Sequence, residues 1–170
     1  YEEKGYRFSY DILGEGSRSD DQAQAYLYAY RDAIALIGKH HDEPDLRNAP
    51  GISVKLSALH PRYQLAQEER LMRELLPRVA EITRLAMEVG ISVSIDAEES
   101  SRFDIGLKIF RALFELPEFR GYDGLGYVLQ AYQKRAVHTV DYLAEMARTA
   151  RKRMNIRLVK GAYWDTEIKA

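Results

Sequence analysis

Cysteine is absent from the 170 residues. Disulfides, thiolate metal sites and cysteine nucleophiles are therefore excluded, and the composition suits a reducing, cytoplasmic setting. Strong charge of either sign is absent too. The formal net charge is −1, so no basic field recruits nucleic acid. That partner would enter only if a DNA-binding region preceded this segment. No apolar run approaches the roughly 20 residues that cross a bilayer. No signal peptide is visible, and the first residue is Tyr1 rather than Met. The four histidines, His40, His41, His60 and His138, lack metal-binding spacing, and structural or surface roles are expected for all four. There is no P-loop, no dinucleotide-binding glycine fingerprint and no serine elbow.

What is present is a repeated pattern. Four strand-like segments read Ile52–Ser57, Ile91–Glu98, Tyr127–Tyr132 and Asn155–Val159. Side chains alternate sides along a strand, so Lys55, Asp96, Gln130 and Arg157 each take one face, opposite Ile, Val and Leu. Helical stretches separate these segments, and strand–helix–strand connections build parallel sheets covered by helices. Polar residues on such a sheet need an internal space to line, and a ligand site is the expected one.

Helical periodicity fills the gaps. Ser19-x-x-Gln22 matches a capping box ahead of Ala23, Tyr26, Leu27, Tyr30, Ile34 and Ile37. A second stripe runs through Leu71, Leu75, Val79, Ile82, Leu85, Ala86 and Val89, with Gly90 as its stop and Pro77 expected to kink or split it. A third, capped by Ser100, uses Phe103, Leu107, Phe110 and Phe114, and a fourth uses Val137, Val140, Leu143, Ala144 and Ala147. Gly121, Gly124 and Gly126 read as a loop, and residues 1–18 as a mixed leading segment. The alternation predicts an α/β fold. A lumen can hold a polar site, so the (βα)8 TIM-type barrel is favoured over a doubly wound sheet. Four strands are half of a barrel of about 250 residues. The chain is thus expected to be one partial domain over 1–170. Residues 1–50 form a leading segment and helix, and residues 51–170 form four strands with their helices.

Lys55 in an apolar strand suggests an anion anchor or an amine of depressed pKa, against a plain route to solvent. Asp96, Glu98 and Glu99 cluster at a strand end. Carboxylates there can hold a divalent cation, do acid–base work or pair with a cation, or simply cap the next helix. Gln130 needs amide partners, from neighbouring strands or a ligand. Arg157 needs an acidic partner, either Asp96 or a bound anion. Tyr163 and Trp164, the only tryptophan, bring flat rings to the mouth. The residues alone leave several readings open: a metal-dependent barrel enzyme using Asp96 and Glu98 with Lys55 as base, another enzyme built on the Lys/Asp/Gln/Arg set, or a non-catalytic fragment whose open strand edge drives assembly.

Five segments add a resemblance: Glu2 to Asp11, GISVKLSALHPRY (51–63), SIDAEES (94–100), LQAYQKR (129–135) and RLVKGAYWD (157–165). Together they resemble the proline dehydrogenase domain of bacterial bifunctional proline utilisation A, in order and over nearly the whole chain. The resemblance implies a (βα)8 barrel with FAD that oxidises L-proline to 1-pyrroline-5-carboxylate. Electrons would pass to a membrane quinone, in a cytoplasmic homo-oligomer peripheral to the inner membrane. It implies that Lys55 binds the proline carboxylate, that Asp96 organises the pocket and that Tyr163 closes over the substrate. Gln130 and Arg157 would hydrogen-bond the flavin ring, Val159, Lys160 and Gly161 would line it, and Trp164 would lie alongside. Glu15 resembles a gate residue paired with a later arginine. The family's carboxylate-binding arginines would lie beyond Ala170, so this stretch alone is expected not to turn over proline.

Overall fold

The computed structural model describes residues 4–13 and 16–167. Five parallel strands alternate with helices: β1 Ser9–Asp11, α1 Asp20–His40, β2 Gly51–Val54, α2 Glu68–Glu88, β3 Ser92–Ile95, α3 Phe103–Glu115, β4 Leu125–Gln130, α4 Ala136–Ala150, β5 Asn155–Val159 and the short α5 Trp164–Glu167. The strands lie in sequence order, each hydrogen-bonded to the next. The sheet thus has one strand more than the four expected, because Ser9-Tyr10-Asp11 pairs with Gly51-Ile52-Ser53. Three of the expected strands also stop early, at Val54, Ile95 and Gln130. Chain direction changes at Lys55, which opens a 3-10 turn over Leu56–Ala58, and after Ile95. Gly126 is a strand residue rather than part of a loop.

The two sheet faces differ as the alternation requires. Ile52, Val54, Val93, Ile95, Leu125 and Tyr127 point to the helices and form one core with Leu27, Tyr30 and Ile34 of α1, Leu71, Leu75 and Ile82 of α2, and Ile109, Phe110 and Leu113 of α3. Truncating a side chain as enclosed as Phe110 to alanine would cost about 3–5 kcal/mol. The opposite face carries Ser9, Asp11, Ser53, Ser94, Gln130 and Arg157 in register. It is also kept small. A Cβ on Gly126 would fall 2.7 Å from Asn155 O and 3.1 Å from Ser94 Oγ, so only glycine fits there.

That polar face is concave. In a flat sheet β1 and β5 would stand about 19 Å apart, four strand spacings. Yet the Arg157 guanidinium on β5 reaches Ser9 Oγ on β1 at 3.2 Å and Ser53 Oγ on β2 at 2.8 Å. The sheet must curl for one side chain to touch both. Consecutive parallel strands, helices outside and a curled polar interior are the geometry of a (βα)8-type barrel segment, as the sequence pattern predicts.

Local signals account for the helices. Gln22 N–H donates to Ser19 Oγ at 3.2 Å, and Gln22 Oε1 accepts Arg18 N–H at 2.7 Å, so the expected cap forms. Gly90, at φ +76°, ends α2 in the left-handed conformation. Pro77 does not split α2: the helix runs through it, with Leu71 and Leu75 on one side and Val79 and Ile82 on the other fully enclosed by the core. Ser100 does not cap α3 but begins a 3-10 turn over Ser100–Arg102. The buried stripes of α3 and α4 are also rotated from the expected ones. On α4, Thr139 and Met146 are buried, whereas Val137 is 70 % exposed.

Candidate active site

The C-terminal ends of the strands bring Lys55, Asp96 and Arg157 together. Lys55 follows β2, and its backbone N–H donates to the buried Tyr30 hydroxyl of α1 at 3.1 Å, which fixes where the side chain departs. Its Nζ stands 2.9 Å from Asp96 Oδ2 and 2.9 Å from Asp11 Oδ2. Asp96 follows β3 and extends the ladder, its N–H donating to Val54 O at 2.9 Å. The other Asp96 oxygen, Oδ1, accepts Arg157 Nη2 at 2.5 Å. One carboxylate therefore bridges two cations. The Lys55 and Asp96 side chains are only 14 % and 13 % exposed, and the Arg157 side chain 39 %.

These partners fix the protonation of Lys55. Burial alone pulls its pKa down, but the hydrogen bonds to Asp11 and Asp96 outweigh it and leave the pKa above the ordinary lysine value. Lys55 is thus held as a cation rather than as an amine of depressed pKa. Asp11 is the partner that strand counting missed. Its strand is three residues long, too short for an alternation to show.

Glu98 does not join Asp96. Its carboxylate accepts Ser57 N–H at 3.0 Å and Arg102 Nη1 at 2.8 Å, while Asp96 serves Lys55 and Arg157. Shared parity does not bring the two together, because β3 ends at Ile95 and Glu98 lies in the following loop. Among the described residues, no three His, Asp or Glu side chains converge as a metal site would require. The metal-enzyme reading built on Asp96, Glu98 and a basic Lys55 is not supported by this geometry. Glu99 is half-buried beside Arg102, at 3.2 Å.

Gln130 closes β4 and is buried, with both ends of its amide engaged. Nε2 donates to Glu98 O and Oε1 accepts Ala162 N–H, each at 3.0 Å. An amide has two N–H groups and two lone pairs on oxygen, so each end uses one of its two bonding positions on the protein itself. Val159 shares the lumenal side with Arg157, and Lys160 is exposed with the opposite parity. Gly161 adopts φ +128°, and a Cβ there would fall 1.7 Å from the Tyr132 ring. Trp164 is 43 % exposed and meets Tyr132 edge-on at 6.0 Å. Tyr163 is half-buried in the same turn. Glu167, which sequence reasoning passed over, accepts the Tyr132 hydroxyl at 2.7 Å and Ser100 N–H at 2.5 Å. Glu15, the expected gate, lies outside the described residues.

The four histidines and the helices stand apart from this cluster. His60 is buried, with Nδ1 accepting Arg62 N–H and Nε2 facing Glu74 at 3.1 Å, a structural role. His41 Nε2 meets Val89 O at 2.8 Å, and His40 and His138 are exposed. No described helix is long and apolar enough to cross a membrane. A cleft of about 520 Å³ between α3 and α4, lined in part by Phe114, Tyr142 and Lys152, lies in the helical layer rather than on the polar face.

A planar, electron-accepting cofactor fits these residues. A guanidinium and a buried amide face the concave side, small Ser and Gly side chains leave room there, and an exposed indole stands at the rim. Comparison with known proteins places the chain in a family. The chain is 52 % identical over 168 residues to the bifunctional protein PutA of Escherichia coli, covering 99 % of this chain and 13 % of that protein. It is 33 % identical over 162 residues to the proline dehydrogenase of Deinococcus radiodurans, covering 95 % of this chain and 46 % of that one. A crystal structure of a Bradyrhizobium japonicum proline utilisation A variant superposes with a TM-score of 0.92 at 45 % identity, over 96 % of this chain and 17 % of that one. The Bdellovibrio bacteriovorus protein inactivated by N-propargylglycine gives 0.89 at 32 % identity, over 98 % and 19 %. The chain therefore spans between about an eighth and a fifth of the PutA proteins it matches. The profile of the proline dehydrogenase family matches residues 1–170, and the chain belongs to that family.

Proposed function

We propose that this chain supplies the carboxylate-binding and flavin-facing wall of an enzyme that oxidises L-proline to 1-pyrroline-5-carboxylate. The observation that carries the reading is the Asp96 carboxylate bridging Lys55 and Arg157 at the strand ends. FAD, when bound, would supply the two-electron oxidant: the ring carbon beside nitrogen loses a hydride, the nitrogen loses a proton, and the C–N bond becomes C=N. The protein's own contribution is binding and orientation. Lys55, held cationic, offers its ammonium to the substrate carboxylate. Asp96 keeps that ammonium and the Arg157 guanidinium at fixed separation, so substrate and cofactor meet in one geometry. Arg157 brings positive charge to the concave face where negative charge develops. Gln130 would offer the ring an N–H and a lone pair, Val159, Lys160 and Gly161 would flank it, and Trp164 and Tyr163 would close the mouth. Glu15 as a gate, a quinone acceptor, peripheral membrane contact and a homo-oligomer belong to the same reading and rest on the family resemblance.

The test is anaerobic addition of L-proline to the full-length protein. Visible flavin bands that bleach, and return when a quinone is supplied, are the expected result. A protein without flavin bands, or bands that proline leaves unchanged, would overturn the reading.

A further inference from the structure

One chain of hydrogen bonds ties together the loops after β1, β2, β3 and β5 through the last residue of β4. After β1, the Ser17 N–H and hydroxyl both donate to Ser57 O, at 2.9 and 3.1 Å. Ser57, in the turn after β2, donates its own N–H to Glu98 Oε1 at 3.0 Å. Glu98, after β3, accepts Gln130 Nε2 on its backbone carbonyl at 3.0 Å. Gln130, at the end of β4, accepts Ala162 N–H from the turn after β5 at 3.0 Å. Glu98 is the hub. Its side chain is 3 % exposed, and burial pushes its pKa above the usual carboxylate range while Ser57 and Arg102 pull it back. Both carboxylate oxygens are used by loop groups, so Glu98 is placed to hold the mouth rather than to touch a ligand.

We propose that Glu98 is a positioning residue for the proline site. Its carboxylate fixes the turn that begins at Lys55, and its carbonyl fixes the amide of Gln130. The inference rests on the reading of Lys55 as the carboxylate anchor and Gln130 as a flavin contact. What the hub needs is an acceptor at the right reach, not a charge. Arg102 keeps a second carboxylate, Glu99 Oε2 at 3.2 Å, if Glu98 becomes neutral. Glutamine keeps the reach and one acceptor, its carbonyl for Ser57 N–H, and turns its NH₂ toward Arg102, which is left to Glu99; aspartate keeps the charge and loses the reach.

The experiment compares Glu98→Gln, Glu98→Asp and Glu98→Ala in the full-length protein. Three readouts are taken: hydrogen exchange of the peptides containing Ser57 and Ala162, the flavin reduction potential, and KM against kcat for L-proline. Glu98→Asp and Glu98→Ala should each speed exchange at both peptides about tenfold, shift the potential, and raise KM about tenfold with a smaller change in kcat. Glu98→Gln should stay within about threefold of wild type throughout. If the alanine protein does not fold, the glutamine–aspartate comparison decides alone. Wild-type behaviour of Glu98→Asp, or equal damage from Glu98→Gln, overturns the proposal, as does faster exchange with unchanged KM and potential. A parent protein that ignores proline refutes the functional reading instead, while the exchange data still judge the hydrogen-bonded belt.

Discussion

Asp96→Asn removes the charge that joins the two cations of the site. The carboxylate accepts from Lys55 Nζ at 2.9 Å and from Arg157 Nη2 at 2.5 Å. Each charge-assisted bond is worth about 1.5–3 kcal/mol. The asparagine carbonyl still accepts from one cation, but its NH₂ then faces the other. Arg157 is 39 % exposed, so water screens part of its loss, whereas Lys55 at 14 % is screened less. A net loss of about 2–4 kcal/mol in transition-state binding follows, or about 30- to 1000-fold in kcat/KM. Lys55 retains Asp11 and Arg157 retains Ser9 and Ser53, so the fold and flavin content should survive. The assay is steady-state oxidation of L-proline by the full-length protein, normalised to bound flavin. A kcat/KM within threefold of wild type at intact flavin content would refute the bridging role.

Arg157→Met should lower the flavin potential by about 30–60 mV, the two-electron equivalent of about 1.4–3 kcal/mol, and cut proline turnover. An unchanged potential would remove Arg157 from the flavin site. Gly161→Ala should cost at least about 2 kcal/mol and reduce flavin content, since the new methyl collides with Tyr132 in a backbone region that alanine avoids; full flavin retention contradicts the account. Lys152 gives a pH test. Burial pulls its pKa from 10.5 down to about 8, with Asp123 opposing. Below pH 8 folded and unfolded chains are both protonated and the buried charge costs stability. Between pH 8 and 10.5 the folded state releases its proton first, so that cost fades. Lys152→Met should therefore stabilise by about 2 kcal/mol at pH 7, allowing for the lost stacking over Phe114 at 4.2 Å. Thermal unfolding across pH should show the gain vanish near pH 10.5, and a gain independent of pH contradicts the assignment.

What could be read from the sequence follows the range over which each signal acts. Alternation over Asn155–Val159 gave the last strand with its bounds and put Arg157 on the polar face. The capping residues of α1 and the glycine stop of α2 are local chemistry, and both are found. Three residues carry no readable period, so β1 and its Asp11 do not show in the sequence. Parity fails once a strand ends, which is why Glu98 was placed beside Asp96 but turns to Ser57 and Arg102. Helical periodicity marks an apolar side but not which of two adjacent apolar stripes meets the sheet, so Val137 and Val140 were expected inside and lie outside. The Arg157–Asp96 pair spans 61 residues of sequence, and the contact from Arg157 to Ser9 spans 148. Such pairings come from the curl of the sheet, which no local pattern encodes.

The account stands most directly on where the substrate lies. A structure of the full-length flavoprotein with a bound proline-like carboxylate would show it. The account predicts the carboxylate within about 3.2 Å of Lys55 Nζ, with Asp96 still bridging to Arg157 and the flavin edge against the guanidinium. A carboxylate bound elsewhere, with Lys55 still closed on Asp11 and Asp96, would contradict it.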